Sequence, residues 1–370
     1  MRFRRVLICL LILSFSCLSF PASAAGSKLV SSVSAFSAIL YHPETGSVLY
    51  EKNADVRRPI ASTTKIMTAL TVLGTETDLD RTVTVPREAC GIEGSSLYLK
   101  PGETLTVRDL LYGLLLASAN DAAAALALTN AGSVNAFADR MNAAANQLGL
   151  TNSHFCNPHG LDDADHYSTA RDLATVAAAA LADDTFREIV STKRHSIPSP
   201  DGGRRYLYNH NKLLNLCPDC IGVKTGFTKK SGRCLVGAAE RDGITLISVT
   251  LNAPDDWNDH KALFEYGFSS IETKTLLQTG EYVFDCPVVN GDKDRLSVTN
   301  AEEITLSLPD GVKAPEREIR LSRYLAAPIA KGQIVGSIIY RMNGKTVGYS
   351  PIVASEAVGE KKTKKGLFHK

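Results

Sequence analysis

Residues 222–252 read GVKTGFTKKSGRCLVGAAERDGITLISVTLN. Three runs in this stretch, Gly222–Gly226, Arg233–Ala239 and Ile244–Asn252, have strand character, and Arg241-Asp242-Gly243 is a hairpin turn between the last two. A matching pair opens the chain: Ala35–Tyr41 and Ser47–Glu51 flank His42-Pro43-Glu44-Thr45-Gly46. Between these two β regions, apolar residues recur at helical spacing over Thr63–Leu73, Val107–Ala117, Asp121–Thr129, Val134–Leu148 and Ala170–Leu181. Long Ala/Leu stretches there imply helices buried on most faces. A further helix over Trp257–Phe268 closes the region. Strands at both ends of a segment with helices inserted between them predict an α+β domain, an antiparallel sheet plus a helical lobe with a cleft between the two.

After about residue 275 the helical signal stops. Tyr282–Val289, Glu303–Leu308, Glu318–Leu321, Val335–Arg341 and Thr346–Val353 read as short strands separated by Asp, Gly and Pro, the pattern of a small all-β sandwich. The expected organisation is an N-terminal segment 1–24, a domain over 25–275, a β-sandwich over 276–355 and a basic tail over 356–370. A chain of 370 residues with 44% hydrophobic and 22% charged residues can bury two cores of this size. Its formal charge of +2 lacks the basic excess expected of a nucleic-acid binder.

Arg2, Arg4 and Arg5 precede a nearly all-apolar run from Val6 to Phe20 and the small-x-small triplet Ala22-Ser23-Ala24, which together read as a secretory signal peptide. The apolar run is short of the roughly 20 residues a spanning helix needs. Cleavage before Ala25 removes three Arg and no acid, so the mature charge becomes −1. Of the eight cysteines, Cys90, Cys156, Cys217, Cys220, Cys234 and Cys286 remain, too sparse for a disulfide scaffold. Cys217-Pro218-Asp219-Cys220 is a lone CxxC, better read as a local disulfide or two thiols than as a zinc site. The tail from Glu360 to Lys370 carries five Lys against one Glu around Leu367 and Phe368; it reads as a solvated end, or as weak attraction to an anionic membrane surface.

Three short motifs carry the chemistry. In Ser62-Thr63-Thr64-Lys65, the i, i+3 spacing sets a hydroxyl beside an amine on one helical face. Such an amine can act as base to the serine only if burial or neighbouring positive charge lowers its pKa. Ser118-Ala119-Asn120 lies at a break between two Ala/Leu-rich helices, where a loop can aim a hydroxyl and an amide into a cleft. Lys224-Thr225-Gly226 lies on a strand whose alternation puts Lys224 and Gly226 on one face and Thr225 on the other, with glycine allowing close approach to the backbone. Each motif alone is common. The three in this order and context are specific.

This order resembles the penicillin-recognising serine enzymes. The wider wording, from Ala61 through Leu70, Asn157-Pro158-His159-Gly160-Leu161-Asp162 with His166-Tyr167-Ser168-Thr169-Ala170, and Lys224-Thr225-Gly226-Phe227-Thr228, is similar to the low-molecular-mass penicillin-binding proteins, the serine D-alanyl-D-alanine carboxypeptidases of bacteria. The resemblance spans about residues 30–355. It implies a fold like that of the serine β-lactamases followed by a β-rich domain. The implied substrate is a peptidoglycan stem peptide ending in D-Ala-D-Ala, with β-lactams as inhibitors, no metal or cofactor, and a place in the cell envelope at the outer face of the cytoplasmic membrane.

Carried over residue by residue, the resemblance makes Ser62 the nucleophile, Lys65 its base and Ser118 a proton relay to the leaving nitrogen. Asn120 would hold the substrate amide, and Lys224 would keep the site positive. Thr225 would bond the terminal carboxylate. The oxyanion would sit between the N–H groups of Ser62 and Phe227, beside Gly226. Two departures stand out. Relatives often carry an Arg ahead of the last helix of this domain for the carboxylate, but Pro254-Asp255-Asp256-Trp257 supplies none, and Phe227 stands where some relatives have His. A β-lactamase of class A would need a Glu-x-x-Asn loop, and none occurs in the sequence. Gly-x-Ser-x-Gly and His-Glu-x-x-His are also absent. A non-catalytic peptidoglycan binder would have no need of a nucleophile with its base.

Overall fold

The computed structural model describes residues 33–362; residues 1–32, which include the segment read as a signal peptide, and residues 363–370 of the basic tail lie outside the described residues. The chain opens with the hairpin β1 (Ser37–His42) and β2 (Ser47–Lys52). A 3-10 turn over Ala61–Thr64 then leads into α1 (Lys65–Leu73). A small ribbon of β3 (Thr82–Thr84) and β4 (Thr104–Thr106) precedes α2 (Val107–Leu115), whose start is fixed by a reciprocal capping box between Thr106 and Asp109. The lobe continues through α3 (Asn120–Ala131), α4 (Val134–Gln147), α5 (Ala170–Leu181) and α6 (Asp184–Ser191). Side chains of Ser133, Thr169 and Asp183 cap the last three.

Helix α3 shows why the Ala-rich pattern means burial: every residue from Asn120 to Ala127 is buried, so the helix lies inside the lobe rather than on it. It ends at Gly132, whose φ of 80° is the left-handed stop that glycine adopts without strain.

A second hairpin, β5 (Arg194–Pro198) and β6 (Arg204–Tyr208), and the one-turn α7 (Leu213–Leu216) bring the chain to β7 (Cys220–Thr228), β8 (Gly232–Arg241) and β9 (Ile244–Leu251). These join the first hairpin in a five-stranded antiparallel sheet of order β2-β1-β9-β8-β7. Strand β8 is covered on both faces. Cys234, Val236 and Ala238 enter the core shared with the helical lobe, whereas Leu235 and Ala239 pack on the other side with Leu263 and Phe264 of α8 (Asp256–Ser269). This is why residues 234–239 read as an unbroken apolar run.

Strand β10 (Ile271–Leu277) follows directly and pairs with β13 (Ile304–Pro309), so residue 275, the expected edge of the first domain, falls inside a strand. The remaining strands, β11 (Val283–Val289), β12 (Arg295–Asn300), β14 (Glu316–Leu321), β15 (Leu325–Ala326), β16 (Ile334–Met342) and β17 (Lys345–Ala354), form a six-stranded sheet of order β14-β16-β17-β12-β11-β15. The two sheets share one core through Leu277, Ile304, Val298, Ile338 and Ile352, giving the all-β layer expected. The β16–β17 turn touches the first hairpin, with Asn343 donating to Thr45 O at 3.0 Å and Lys345 to Pro43 O at 2.6 Å.

The sequence reading did not assign α6 or the β5–β6 hairpin. The hairpin has no apolar run because only Ile197 and Leu207 of its strands are buried. Cys217 and Cys220 stand as two thiols, and the described residues contain no group of His, Cys, Asp and Glu arranged to hold a metal. No helix among the described residues is long and apolar enough to cross a membrane.

Candidate active site

Ser62 lies in the 3-10 turn that feeds α1, and Lys65 is the first residue of that helix. Lys65 Nζ is 2.8 Å from Ser62 Oγ, 2.7 Å from Asn120 Oδ1 and 2.7 Å from His159 O. The lysine is fully buried. Burial, then the charge of Lys224, holds its pKa well below 10.5, against an opposing pull from Asp121.

The loop from Asn157 to Leu161 forms the floor under this amine. Thr68 donates to Pro158 O at 2.6 Å, and Thr64 Oγ1 lies 2.8 Å from His166 Nε2. Gly160 fits because it has no side chain: a Cβ there would lie 1.9 Å from Ala61 O, and its φ is +84°. In the sequence this stretch shows only wording shared with the carboxypeptidases. A backbone carbonyl such as that of His159 has no residue-type signature, so its role was not legible.

Asn120 is tied into the site at both ends of its amide. Its Oδ1 accepts from Lys65 and its Nδ2 donates one hydrogen to Glu93 O at 2.5 Å. Beside it, buried Asp121 accepts from Ser96 Oγ, Leu97 N and Leu99 N at 2.6–3.0 Å, which pins the loop carrying Ser95 against the cleft.

Ser118 sits at the break between α2 and α3 with φ +58°. Its Oγ accepts from Lys224 Nζ at 3.0 Å, and the same amine donates to Thr225 O at 2.9 Å. Lys224 is 1% exposed, and burial lowers its pKa from 10.5 to about 7. The structure thus brings Ser62, Lys65 and Asn120 into one bonded group and Ser118 and Lys224 into a second, without a direct bond between Ser118 and Lys65.

Gly226 is where the sheet meets the nucleophile. A Cβ at that position would approach Ser62 N to 3.0 Å and Ile60 O to 3.1 Å, so strand β7 runs against the turn that carries Ser62. The two buried amines thus lie beside an open cleft of about 370 Å³ lined by Ser62, Ser95, Ser118, Thr225, Gly226 and Phe227, together with His210, Lys212, Arg233, Asp256 and Trp257. None of the last five had a role assigned from the sequence, in which Asp256 and Trp257 stand out only as part of the segment that lacks an Arg. An activated serine beside an open cleft lined by His210, Lys212 and Arg233 can attack an acyl carbon and hold the resulting ester.

The sequence family described as D-alanyl-D-alanine carboxypeptidase matches residues 22–255, and that described as the C-terminal domain of penicillin-binding protein 5 matches residues 272–360. The chain is 32% identical over 329 residues to the D-alanyl-D-alanine carboxypeptidase DacF of Bacillus subtilis, covering 86% of this chain and 85% of the relative. It is 36% identical over 351 residues to DacA of Escherichia coli, covering 90% and 85%. Among solved structures, penicillin-binding protein 5 from Haemophilus influenzae superposes with a TM-score of 0.66 at 30% identity, covering 89% of this chain and 98% of that one.

Proposed function

The chain belongs to the D-alanyl-D-alanine carboxypeptidase family, and from that premise we propose that Ser62 is the nucleophile with which it removes the terminal D-Ala of peptidoglycan stem peptides. The observation that carries this reading is the 2.8 Å contact between Lys65 Nζ and Ser62 Oγ in a site where Lys65 is fully buried. Ser62 Oγ attacks the carbonyl of the penultimate D-Ala and its proton passes to Lys65 Nζ. The amide N–H groups of Ser62 and Phe227 receive the oxyanion.

The leaving nitrogen needs one proton. Ser118 Oγ–H, held by Lys224, supplies it and recovers one from Lys224 Nζ. Acylation therefore leaves one proton more on Lys65 and one fewer on Lys224. The two amines re-equilibrate before water attacks the ester, with Lys65 again neutral and serving as base. Asn120 orients the Lys65 amine through its Oδ1, and its second Nδ2 hydrogen is left to hold the substrate amide. A β-lactam enters the same route, but its leaving group stays tethered in the cleft and obstructs water.

The signal-peptide reading of residues 1–24 places this reaction outside the cytoplasmic membrane, where its substrate is. The Lys-rich tail over 356–370 adds weak, salt-sensitive attraction to anionic lipid. The test of the catalytic reading is release of D-alanine from a peptide ending in D-Ala-D-Ala. Wild-type protein releases it and Ser62→Ala does not; release by the variant at the wild-type rate rejects Ser62.

A further inference from the structure

A substrate that ends in D-alanine brings a carboxylate into the cleft, and the two buried amines are poorly suited to hold it. Lys65 is spent on Ser62, Asn120 and His159, and Lys224 donates to Ser118 and to Thr225 O. The segment just ahead of α8, Pro254-Asp255-Asp256, contains no cation.

The neighbouring strand does. Arg233 of β8 is directly opposite Phe227 of β7, while Thr225 is opposite Leu235. Residues facing each other across an antiparallel pair point to the same side, so Thr225, Phe227 and Arg233 share a face. Thr225 and Arg233 are diagonal neighbours, about 7–8 Å apart at the backbone, within reach of a long side chain. Both line the cleft that contains Ser62.

The guanidinium is held from behind. Its Nε and Nη2 donate to Asp256 Oδ1 at 3.1 and 2.7 Å, and its carbon lies 5.4 Å from the centre of the Trp257 ring. Asp256 is itself buried, and the Arg233 side chain stays 41% exposed. Nη1 makes no hydrogen bond among the described residues, and neither does the Thr225 hydroxyl. A fixed guanidinium edge and a free hydroxyl thus face the same space beside the nucleophile. Lys212 also lines the cleft, but no side-chain hydrogen bond fixes it.

Resting on the catalytic reading above, we infer that Arg233, seated by Asp256 and Trp257, binds the terminal carboxylate of the substrate together with Thr225 Oγ1, and so makes the enzyme a carboxypeptidase rather than a general peptidase. The start of α8 here contributes the acid and the ring that orient the cation, and strand β8 contributes the cation. Arginine suits this role because its charge persists at every working pH and its planar fork matches a carboxylate.

The test compares two peptides, one ending in D-Ala-D-Ala with a free carboxylate and one with a carboxamide. In Arg233→Gln, the ratio of kcat/KM for free acid over carboxamide should fall at least about tenfold, the size of one lost charge-assisted hydrogen bond. The loss should appear mainly in KM, and Arg233→Lys should restore part of the preference. A wild-type ratio in Arg233→Gln overturns the inference, as does an equal loss on both peptides, which would mean a structural role. D-alanine release by wild-type protein in the same assay keeps the catalytic reading standing when the ratio does not move.

Discussion

Lys65 Nζ lies 2.8 Å from Ser62 Oγ, and its two other neighbours, Asn120 Oδ1 and His159 O, accept hydrogen bonds but cannot donate them. Asn120 keeps its oxygen toward the lysine because its Nδ2 donates to Glu93 O. A neutral amine has two hydrogens and one lone pair. With both hydrogens directed to Asn120 and His159, the lone pair is left facing the serine hydroxyl, which then donates. The two carbonyl oxygens thus aim the neutral amine, but they do not select it, since an ammonium could donate to all three oxygens. Burial and the like charge of Lys224 are what favour the neutral form.

Replacing Lys65 by arginine puts a permanently protonated group in the place of the base. Acylation by a β-lactam should fall at least about a hundredfold, the lower end of what a positioned base contributes. Stopped-flow or labelling kinetics check this, and a near-normal rate would move the base elsewhere.

Lys224 is the second-largest cause of the low Lys65 pKa. Lys224→Gln removes that repulsion, so Lys65 should keep its proton to higher pH. The acid limb of the pH–acylation profile should move upward, alongside a lower overall rate. A limb that stays in place would show that the two amines are not coupled.

Gly160→Ala should damage both folding and chemistry. The added Cβ would meet Ala61 O at 1.9 Å in a left-handed conformation, pushing on the turn that carries Ser62. A destabilisation of about 3 kcal/mol or more is expected from overpacking against backbone. Denaturant unfolding checks it. Unchanged stability would mean that the 157–161 loop does not press on this turn.

Three buried histidines, His42, His166 and His260, and the partly buried His159 set an acid limit on stability. Burial is the largest cause for each, lowering His42 and His166 from 6.5 to about 4 and His159 and His260 to about 3. The folded state therefore favours their neutral form. Their contribution is fully present above the unfolded value of 6.5 and is lost as pH falls from there toward 3–4, because the unfolded chain takes up more protons. The histidine contribution is constant above pH 7, and the unfolding midpoint should drop steadily below 6.5. A midpoint unchanged down to pH 4 would contradict this.

Much of the site was legible because its chemistry is local. Ser62 and Lys65 are one helical turn apart, and Ser118 lies at a break that the Ala/Leu pattern already marks, so residue type and spacing suffice. Asn120 was legible as a polar group at that break, but its partners come from residues 65 and 93, which only the packed lobe brings together. Arg233 was missed because its position depends on the register of β7 against β8. A shift of one residue would turn it to the opposite face. The sheet itself was readable from apolar runs and turn residues, whereas the β5–β6 hairpin, with few buried side chains, left little pattern.

The account stands most directly on the identity of the acylated residue. Mature protein treated with benzylpenicillin, digested and analysed by mass spectrometry should carry the penicilloyl adduct on the peptide containing Ser62, at that serine, and Ser62→Ala should carry none. An adduct on Ser118 or another side chain, or labelling of Ser62→Ala at the wild-type level, would contradict it.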